Sequence, residues 1–185
     1  MFQDSLTIYT IGHSDRTLDD FLQLLVANNI KILVDVRSYP YSTRFPHFSQ
    51  DALREAVYAR QIEYHWAGRQ LGGKRKLNNP ESHPALTINS LSGFAEYMET
   101  DQFERVITQL VNLASKSKTA ILCAEKLPSH CHRALISDYL LMKNLNVIHI
   151  IDNNTCEEHQ LSPLVRTEST RLVYDRSVTS ALKLH

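Results

Sequence analysis

The sequence predicts an α/β fold: a single domain whose mostly parallel central sheet of about five strands carries helices on both faces, in Rossmann-like layers. Short apolar runs typical of strands alternate along the chain with stretches of helical apolar spacing. Such alternation favours a parallel sheet, because each helix returns the chain to the start of the next strand. The length of 185 residues suits one core, so we expect residues 1–185 to form one domain.

The first three elements are predicted to form a β-α-β unit. Residues 6–11 are rich in Ile, Thr and Tyr, which favour a strand. Thr17 precedes a helical pattern and is followed three residues later by Asp20, which is the spacing of a capping box. We expect this helix to end at residues 28–29 and the apolar residues 30–36 to form the second strand.

The same reasoning gives four more helices and three more strands. Helices are predicted from Ser49 to about residue 60, over residues 91–98 and 103–113, and from near residue 131 to 142. Strands are predicted over residues 62–66, 119–124 and 146–151. The expected N-caps are Ser49, Asp101 and Ser129. We expect a long loop over residues 67–88, a fading pattern after residue 152, and an edge strand over residues 171–174.

Polar residues follow nearly every predicted strand. In open α/β sheets, ligands bind beyond the carboxyl ends of the strands. The residues that follow successive strands are 12–14, 35–38, 66–69, 123–125 and 152. Because these loops share one edge of a parallel sheet, they predict a site there.

The composition excludes several classes of protein. Twenty basic and twenty acidic side chains give no net formal charge, so no overall field directs the protein to nucleic acid or to a membrane. No apolar run approaches the roughly 20 residues that span a bilayer, and no signal-peptide pattern is visible at the N-terminus. Three cysteines in no disulfide pattern suit reduced thiols, so we expect a cytoplasmic protein without a membrane partner.

The site is predicted to centre on residues 119–133. A buried strand leads there into a polar loop and then into a helix, whose free N–H groups favour a thiolate. The candidate catalytic residues are Cys131, Cys123, His132, Glu125 and His13. The two thiols are candidate nucleophiles, and the other three side chains are candidate acids and bases.

Further residues near the same edge are predicted to bind the substrate. The guanidinium groups of two arginines suit phosphate, sulfate or carboxylate groups. The candidate substrate-binding residues are Arg133, Arg37, Ser14, Ser38 and Asp35. The spacing of Cys and His matches no zinc pattern, so no metal ligand is predicted and the cofactor stays open.

The segment from Arg37 to Lys76 combines basic and aromatic side chains. Residues 35–76 carry eight basic and four acidic side chains, interleaved with Tyr, Phe and Trp. Such a surface can follow a nucleic-acid backbone and stack its bases. It can equally be a solvated basic loop beside aromatic residues of the core, and the sequence leaves both interpretations open. It also gives no oligomeric state.

Five motifs in order give a resemblance to a known family. They are residues 10–14, residues 33–38 with Pro40, residues 71–73, residues 95–98, and the run from Cys123 to Arg133. Together they resemble the bacterial domain of unknown function DUF488 over about residues 7–151. The resemblance implies an intracellular α/β domain with a site in these motifs, and it supplies no reaction. Residues 80–93 depart from the family pattern, which has a Trp-Arg-Asn-like segment there, and residues 152–185 form a C-terminal extension.

Three functional hypotheses follow. The first is an enzyme with a Cys, His and Arg site that acts on a small anionic substrate, such as a nucleotide or another phosphate- or sulfur-bearing compound. The second is a non-catalytic module that binds a nucleotide or nucleic acid. The third is a metal-dependent enzyme.

Overall fold

The computed structural model describes residues 6–177, which form eight strands and six α-helices. The strands are β1 (Thr7–Gly12), β2 (Ile32–Asp35), β3 (Glu63–Trp66), β4 (Thr119–Cys123), β5 (Asn146–Asp152), β6 (Thr155–Glu158), β7 (Val165–Glu168) and β8 (Arg171–Tyr174). The α-helices are α1 (Leu18–Ala27), α2 (Gln50–Tyr58), α3 (Gly68–Leu71), α4 (Asn89–Met98), α5 (Asp101–Ala114) and α6 (Arg133–Met142). Two short 3-10 helices lie at Pro46–Phe48 and Pro128–His130.

Six strands form the central sheet, in the order β3-β2-β4-β1-β5-β6. The first five are parallel and β6 is antiparallel to β5. The α/β fold class with a mostly parallel sheet is therefore confirmed. The extra strand β6 was not predicted, because its residues are exposed or half-buried and show no apolar pattern.

Helices cover both faces of the sheet, as predicted. On one face, α1 and α2 bury Phe21 and Leu53 against the strands. On the other face, α4, α5 and α6 bury Phe94, Phe103 and Leu135. The chains that leave β1 and β2 go to the first face, whereas the chain that leaves β4, between them, goes to the second. Such a divergence opens a crevice at the carboxyl ends of the strands.

The chain beyond β5 is folded further than the sequence indicated. Strands β7 and β8 form a separate antiparallel pair, and Val165, Leu172 and Tyr174 of this pair are buried in the core with α4, α5 and α6. The strand predicted over residues 171–174 is present, but it belongs to this pair rather than to the edge of the central sheet. The predicted end of the C-terminal extension, from residue 178, and the N-terminal residues 1–5 lie outside the described residues.

Two predicted helix caps are wrong. Ser129 lies inside a 3-10 helix, and α6 begins only at Arg133. Helix α5 is capped by Thr100, whose hydroxyl accepts the N–H of Phe103 at 3.2 Å, so Asp101 is the first helical residue. The predicted cap was one residue late, because Thr100 is also a residue type that caps helices and the backbone geometry places it at that position.

Other local predictions have mixed outcomes. Thr17 caps α1 as predicted, since its hydroxyl accepts the N–H of Asp20 at 3.1 Å. Ser49 takes the N-cap position of α2 without a side-chain hydrogen bond to the helix. The loop predicted over residues 67–88 contains the short helix α3. No helix within the described residues is long and apolar enough to cross a membrane.

Candidate active site

A cleft of about 700 Å³ opens at the carboxyl ends of β1, β2 and β4, and we call it the first cleft. Eight of the ten predicted site residues line it: His13, Ser14, Arg37, Ser38, Cys123, Glu125, Cys131 and His132. Backbone hydrogen bonds hold the loops after β1 and β4 side by side, from the His13 N–H to the Cys123 carbonyl at 3.0 Å and from the Ser14 N–H to the Ala124 carbonyl at 2.7 Å. The predicted convergence of strand ends is thus present for these three strands.

Cys123, Cys131 and His132 form a compact group in the cleft, which we call the thiol cluster. Nδ1 of His132 lies 3.6 Å from Sγ of Cys131 and 3.9 Å from Sγ of Cys123. Its Nε2 lies 3.2 Å from the carbonyl oxygen of Val36. Because a carbonyl can only accept, Nε2 carries a hydrogen, and the neutral ring presents the lone pair of Nδ1 to the thiols.

Cys131 is the more acidic thiol of the pair. It lies two residues before Arg133, the first residue of α6, and its sulfur accepts the backbone N–H of Arg133 at 3.5 Å. The pKa of Cys131 lies well below its usual range. The largest cause is a hydrogen bond that the Cys123 thiol donates to its sulfur. His132 lowers the pKa further, whereas burial opposes the shift. The same hydrogen bond, together with burial, raises the pKa of Cys123. Of the two thiols, Cys131 is therefore the one that loses its proton more readily.

The ring of His132 is held by its packing. A Cβ atom at Gly73 would lie 2.5 Å from Nδ1 and 2.6 Å from Cγ of this ring, so only glycine fits there. The ring of Phe94 meets it edge-on at a centroid distance of 5.1 Å. The last glycine of the motif at residues 71–73 therefore has a structural role, because it lets the backbone approach the imidazole.

Arg37 lines the cleft, but a buried carboxylate holds its guanidinium. Nε and Nη2 donate to Asp35, with a shortest distance of 2.6 Å, and Nη1 donates to the carbonyl of Phe48 at 2.8 Å. The hydroxyl of Tyr64 donates to the same carboxylate at 2.7 Å. Of the five N–H groups of a guanidinium, two remain for a ligand. Asp35 was predicted to bind substrate. It is fully buried and does not line the cleft, and it positions Arg37 instead.

Arg133 was also predicted to bind substrate, and the structure places it elsewhere. It is 1% exposed and does not line the cleft. Nη1 donates to Oγ1 of Thr10 at 3.1 Å, and Nη2 donates to the carbonyls of Glu125 and Lys126. Its side chain therefore ties the loop after β4 to β1. Gly12 allows this close approach, because a Cβ there would collide with the carbonyl of Glu125.

His13 and Glu125 remain the candidate acid and base beside the thiol cluster. The pKa of His13 is lowered to about 4, mainly by burial, with the charge of Arg37 adding to the effect. Its Nδ1 lies 2.8 Å from the carbonyl of Ser14, so the neutral ring offers Nε2 as an acceptor. The side chain of Glu125 is exposed and makes no ion pair within the described part of the chain.

Several lining residues were not predicted as site residues. Tyr39, Tyr41, Arg44 and Lys74 all line the cleft, and the N–H of Lys74 donates to the hydroxyl of Ser38 at 3.1 Å. These residues belong to the basic and aromatic segment, so composition could have indicated them. Nothing in their spacing shows which of them reach the cleft.

A second polar group lies behind Arg133, and we call it the polar network. Its hydrogen bonds join Thr10 Oγ1 to His149 Nδ1 at 2.7 Å, His149 Nε2 to His159 Nδ1 at 2.9 Å, His159 Nε2 to Asp138 Oδ1 at 2.9 Å, and Tyr174 Oη to Asp138 Oδ2 at 2.9 Å. The carboxylate accepts at one end, which makes every preceding group a donor to the next. The pKa of His149 is lowered to about 3, mainly by burial. No motif indicated this network.

Comparison with known proteins agrees with the motifs. The family model described as "Domain of unknown function DUF488" matches residues 17–140, which is well over half of the chain and includes the thiol cluster. No curated protein and no solved structure matches the chain. The protein therefore belongs to the DUF488 family, as the resemblance predicted.

Proposed function

We propose that the protein is an enzyme in which the thiolate of Cys131 attacks an anionic substrate bound in the first cleft. The observation that carries the proposal is the environment of one sulfur atom. Cys131 lines the cleft, stands at the start of α6, accepts the N–H of Arg133 at 3.5 Å and lies 3.6 Å from an imidazole lone pair. A thiol with a base beside it and N–H groups around it is the arrangement of an activated nucleophile.

The roles of the neighbouring groups follow from their hydrogen bonds. His132 takes the proton of Cys131 at Nδ1, because its Nε2–H stays on the carbonyl of Val36. The sulfur then bonds to the electrophilic atom of the substrate, the bond to the leaving group breaks, and His132 returns the proton to that group. The free N–H groups of Arg37, together with Lys74, hold the anion.

Two reagents of matched size test both halves of the proposal. Iodoacetamide is neutral and iodoacetate is an anion, and both alkylate thiolates. We expect iodoacetamide to label Cys131 at pH 7 at least ten times faster than the exposed Cys156. We also expect the ratio of iodoacetate to iodoacetamide rates to be at least fivefold higher at Cys131 than at Cys156, because the cleft attracts anions. The variant Lys74→Ala should lower that ratio, and Lys116→Ala, in the turn after α5, is the matched control.

The outcomes separate the parts of the claim. A Cys131 that reacts no faster than Cys156 would contradict the nucleophile and would favour the non-catalytic binding module. A Cys131 that reacts fast, but with the same ratio of iodoacetate to iodoacetamide rates as Cys156, would support the nucleophile and contradict the anionic substrate. Peptide mass spectrometry resolves the three cysteines, so each rate is read separately.

One observation favours a second candidate, a metal-dependent enzyme. The three donor atoms of the thiol cluster lie within 4.8 Å of one another. A tetrahedral zinc ion with bonds of about 2.3 Å to sulfur and about 2.0 Å to nitrogen would separate such atoms by about 3.5 Å, close to the observed 3.6 and 3.9 Å. The hydrogen bond from His132 to Val36 also resembles the outer contact of a ligating histidine. Such an ion would act as a Lewis acid toward a ligand in the cleft.

Metal analysis of the purified protein tests this candidate. If the protein is a metal-dependent enzyme, we expect close to one zinc per protein and a midpoint of thermal unfolding that falls on chelation. We also expect loss of the metal in Cys123→Ser as well as in Cys131→Ser. Protein without metal whose stability does not rise with added zinc, iron or manganese would contradict it.

A further inference from the structure

A second cleft of about 680 Å³ adjoins the first, and the two share lining residues. The shared residues are Ser38, Tyr39, Tyr41 and Lys74. Tyr39 is 71% exposed and Tyr41 is 74% exposed, so the loop that carries them stands between the clefts with its aromatic rings in solvent. The two clefts therefore meet at this loop, and we call them together the groove, with the thiol cluster in the first cleft.

Aromatic surfaces in this groove are paired with cations. Nζ of Lys74 lies 5.0 Å from the ring centroid of Tyr39, and the guanidinium of Arg69 lies 5.6 Å from that of Trp66. The indole of Trp66 is fixed by a hydrogen bond from Nε1 to the carbonyl of Arg37 at 3.0 Å. Flat rings with cations over them can stack bases and hold phosphates at the same time.

The cations of the groove are largely free of carboxylate partners. Within the described residues, four of the five basic side chains that line the two clefts make no ion pair: Arg44, Arg69, Lys74 and Arg75. Of these, Arg75 donates hydrogen bonds to backbone carbonyls. Asp51 of the second cleft is already paired with Arg54, which lies outside the groove, at 2.9 Å. In the first cleft Asp15 and Glu125 oppose the basic residues, so the positive excess is concentrated in the second cleft.

We infer that the groove binds single-stranded nucleic acid, with phosphates on Arg69 and Lys74, bases on Tyr39 and Tyr41, and one nucleotide entering the first cleft. This names the substrate class of the proposed function and rests on it for the first cleft. Each cleft alone would accept a mononucleotide, but the exposed tyrosines line both clefts, so a ligand that spans the two can stack a base on each side of this loop. Exposed aromatic and basic groups that alternate along a groove are the recognition surface for a single strand.

Fluorescence anisotropy with labelled 12-nucleotide strands of deoxythymidine and of uridine tests the inference. The double variant Tyr39→Ala, Tyr41→Ala should bind at least tenfold more weakly than wild type. Tyr58→Ala is the matched control, since Tyr58 is 78% exposed and lies outside both clefts. With the two to three phosphate contacts that Arg69, Lys74 and Arg37 can supply, raising salt from about 50 to 200 mM should weaken binding roughly 7- to 20-fold. The two strands separate RNA from DNA as the natural ligand.

Several outcomes would overturn the inference: no binding of either strand at low salt, equal affinity in the double tyrosine variant, preference for a duplex, or a mononucleotide that competes as well as the 12-mer. The alkylation rate of Cys131, measured without a strand, distinguishes this failure from failure of the proposed function. A reactive Cys131 without strand binding would contradict only the inference that the groove binds nucleic acid. Strand binding with an unreactive Cys131 would contradict the proposed enzyme.

Discussion

The thiol cluster and the polar network are two groups of similar chemistry that meet at the first turns of α6. Both contain histidine, both are largely buried, and Arg133 lies between them. In the polar network each donor meets an acceptor inside the protein, and the hydrogen bonds end on the carboxylate of Asp138. The thiol cluster instead lines a cleft, beside Arg37, which keeps two N–H groups beyond those bonded to Asp35 and Phe48. The comparison shows that hydrogen-bond donors and acceptors without a partner in the protein, more than the residue types, distinguish a site from a structural group.

Removing Arg133 should have the largest effect on stability. Arg133→Met leaves the hydroxyl of Thr10 and the carbonyls of Glu125 and Lys126 without their donor, so we expect the free energy of unfolding to fall by about 2–4 kcal/mol. Urea denaturation measures it. Arg105→Met, at an exposed position of α5, is the matched control and should change stability by less than about 0.5 kcal/mol. If Arg133→Met keeps its stability and loses anion attraction in the reagent-ratio experiment, Arg133 is a ligand after all.

Acidification should destabilise the protein through two buried histidines with lowered pKa values. His149 and His13 stay neutral in the folded state down to pKa values of about 3 and about 4, whereas an unfolded histidine has a pKa near 6.5. Below that pH the unfolded state binds more protons, so this stability is complete above pH 6.5 and is lost as the pH falls toward the folded pKa values. Between pH 6.5 and 5 we expect a loss of about 2 kcal/mol in total, after an allowance for solvent screening.

The readout is the slope of unfolding free energy against pH, which does not depend on the stability at neutral pH. His149→Gln and His13→Gln should each remove about half of the slope in this window. A flat profile in wild type, or slopes unchanged in both variants, would show that these histidines are not held neutral.

Substitution at Gly73 tests the support of the thiol cluster. In Gly73→Ala the new methyl group must displace the ring of His132, which weakens its hydrogen bond to Val36 and its contact with Cys131. We expect alkylation of Cys131 to slow by about tenfold, which corresponds to about 1.4 kcal/mol. Ser90→Ala changes another residue of the same cleft and should leave the rate as it is. An unaltered rate in Gly73→Ala would mean that His132 does not activate the thiol.

Much of the fold could be predicted because the spacing of apolar residues indicates the alternation of strands and helices. The long helices have a buried stripe that recurs at the helical period, and the central strands β2 and β4 are short runs buried at every residue. Strands β6 and β7, and the pairing of β7 with β8, could not be predicted in this way, because β6 and β7 are mostly exposed or half-buried and short strands carry few apolar positions. The caps at Asp101 and Ser129 failed for a related reason: several adjacent residues can cap, and backbone geometry selects one.

The site could be predicted as a set of loops but not as a set of roles. Strand order brings the ends of β1, β2 and β4 together, so residues after those strands converge. Whether an arginine meets a ligand depends on partners far away in sequence. Thr10 accepts a hydrogen bond from Arg133 across 123 residues of sequence. No local pattern carries that information.

The most direct test of the account is the alkylation rate of Cys131 and Cys123 from pH 5 to 9, with and without a chelator. The account predicts that Cys131 reacts rapidly already well below pH 8, that Cys123 stays slow throughout, and that the chelator changes neither rate. Rapid labelling that appears only after chelation would contradict the free thiolate and would establish the metal site. Slow labelling of Cys131 under both conditions would contradict a reactive thiol of either kind.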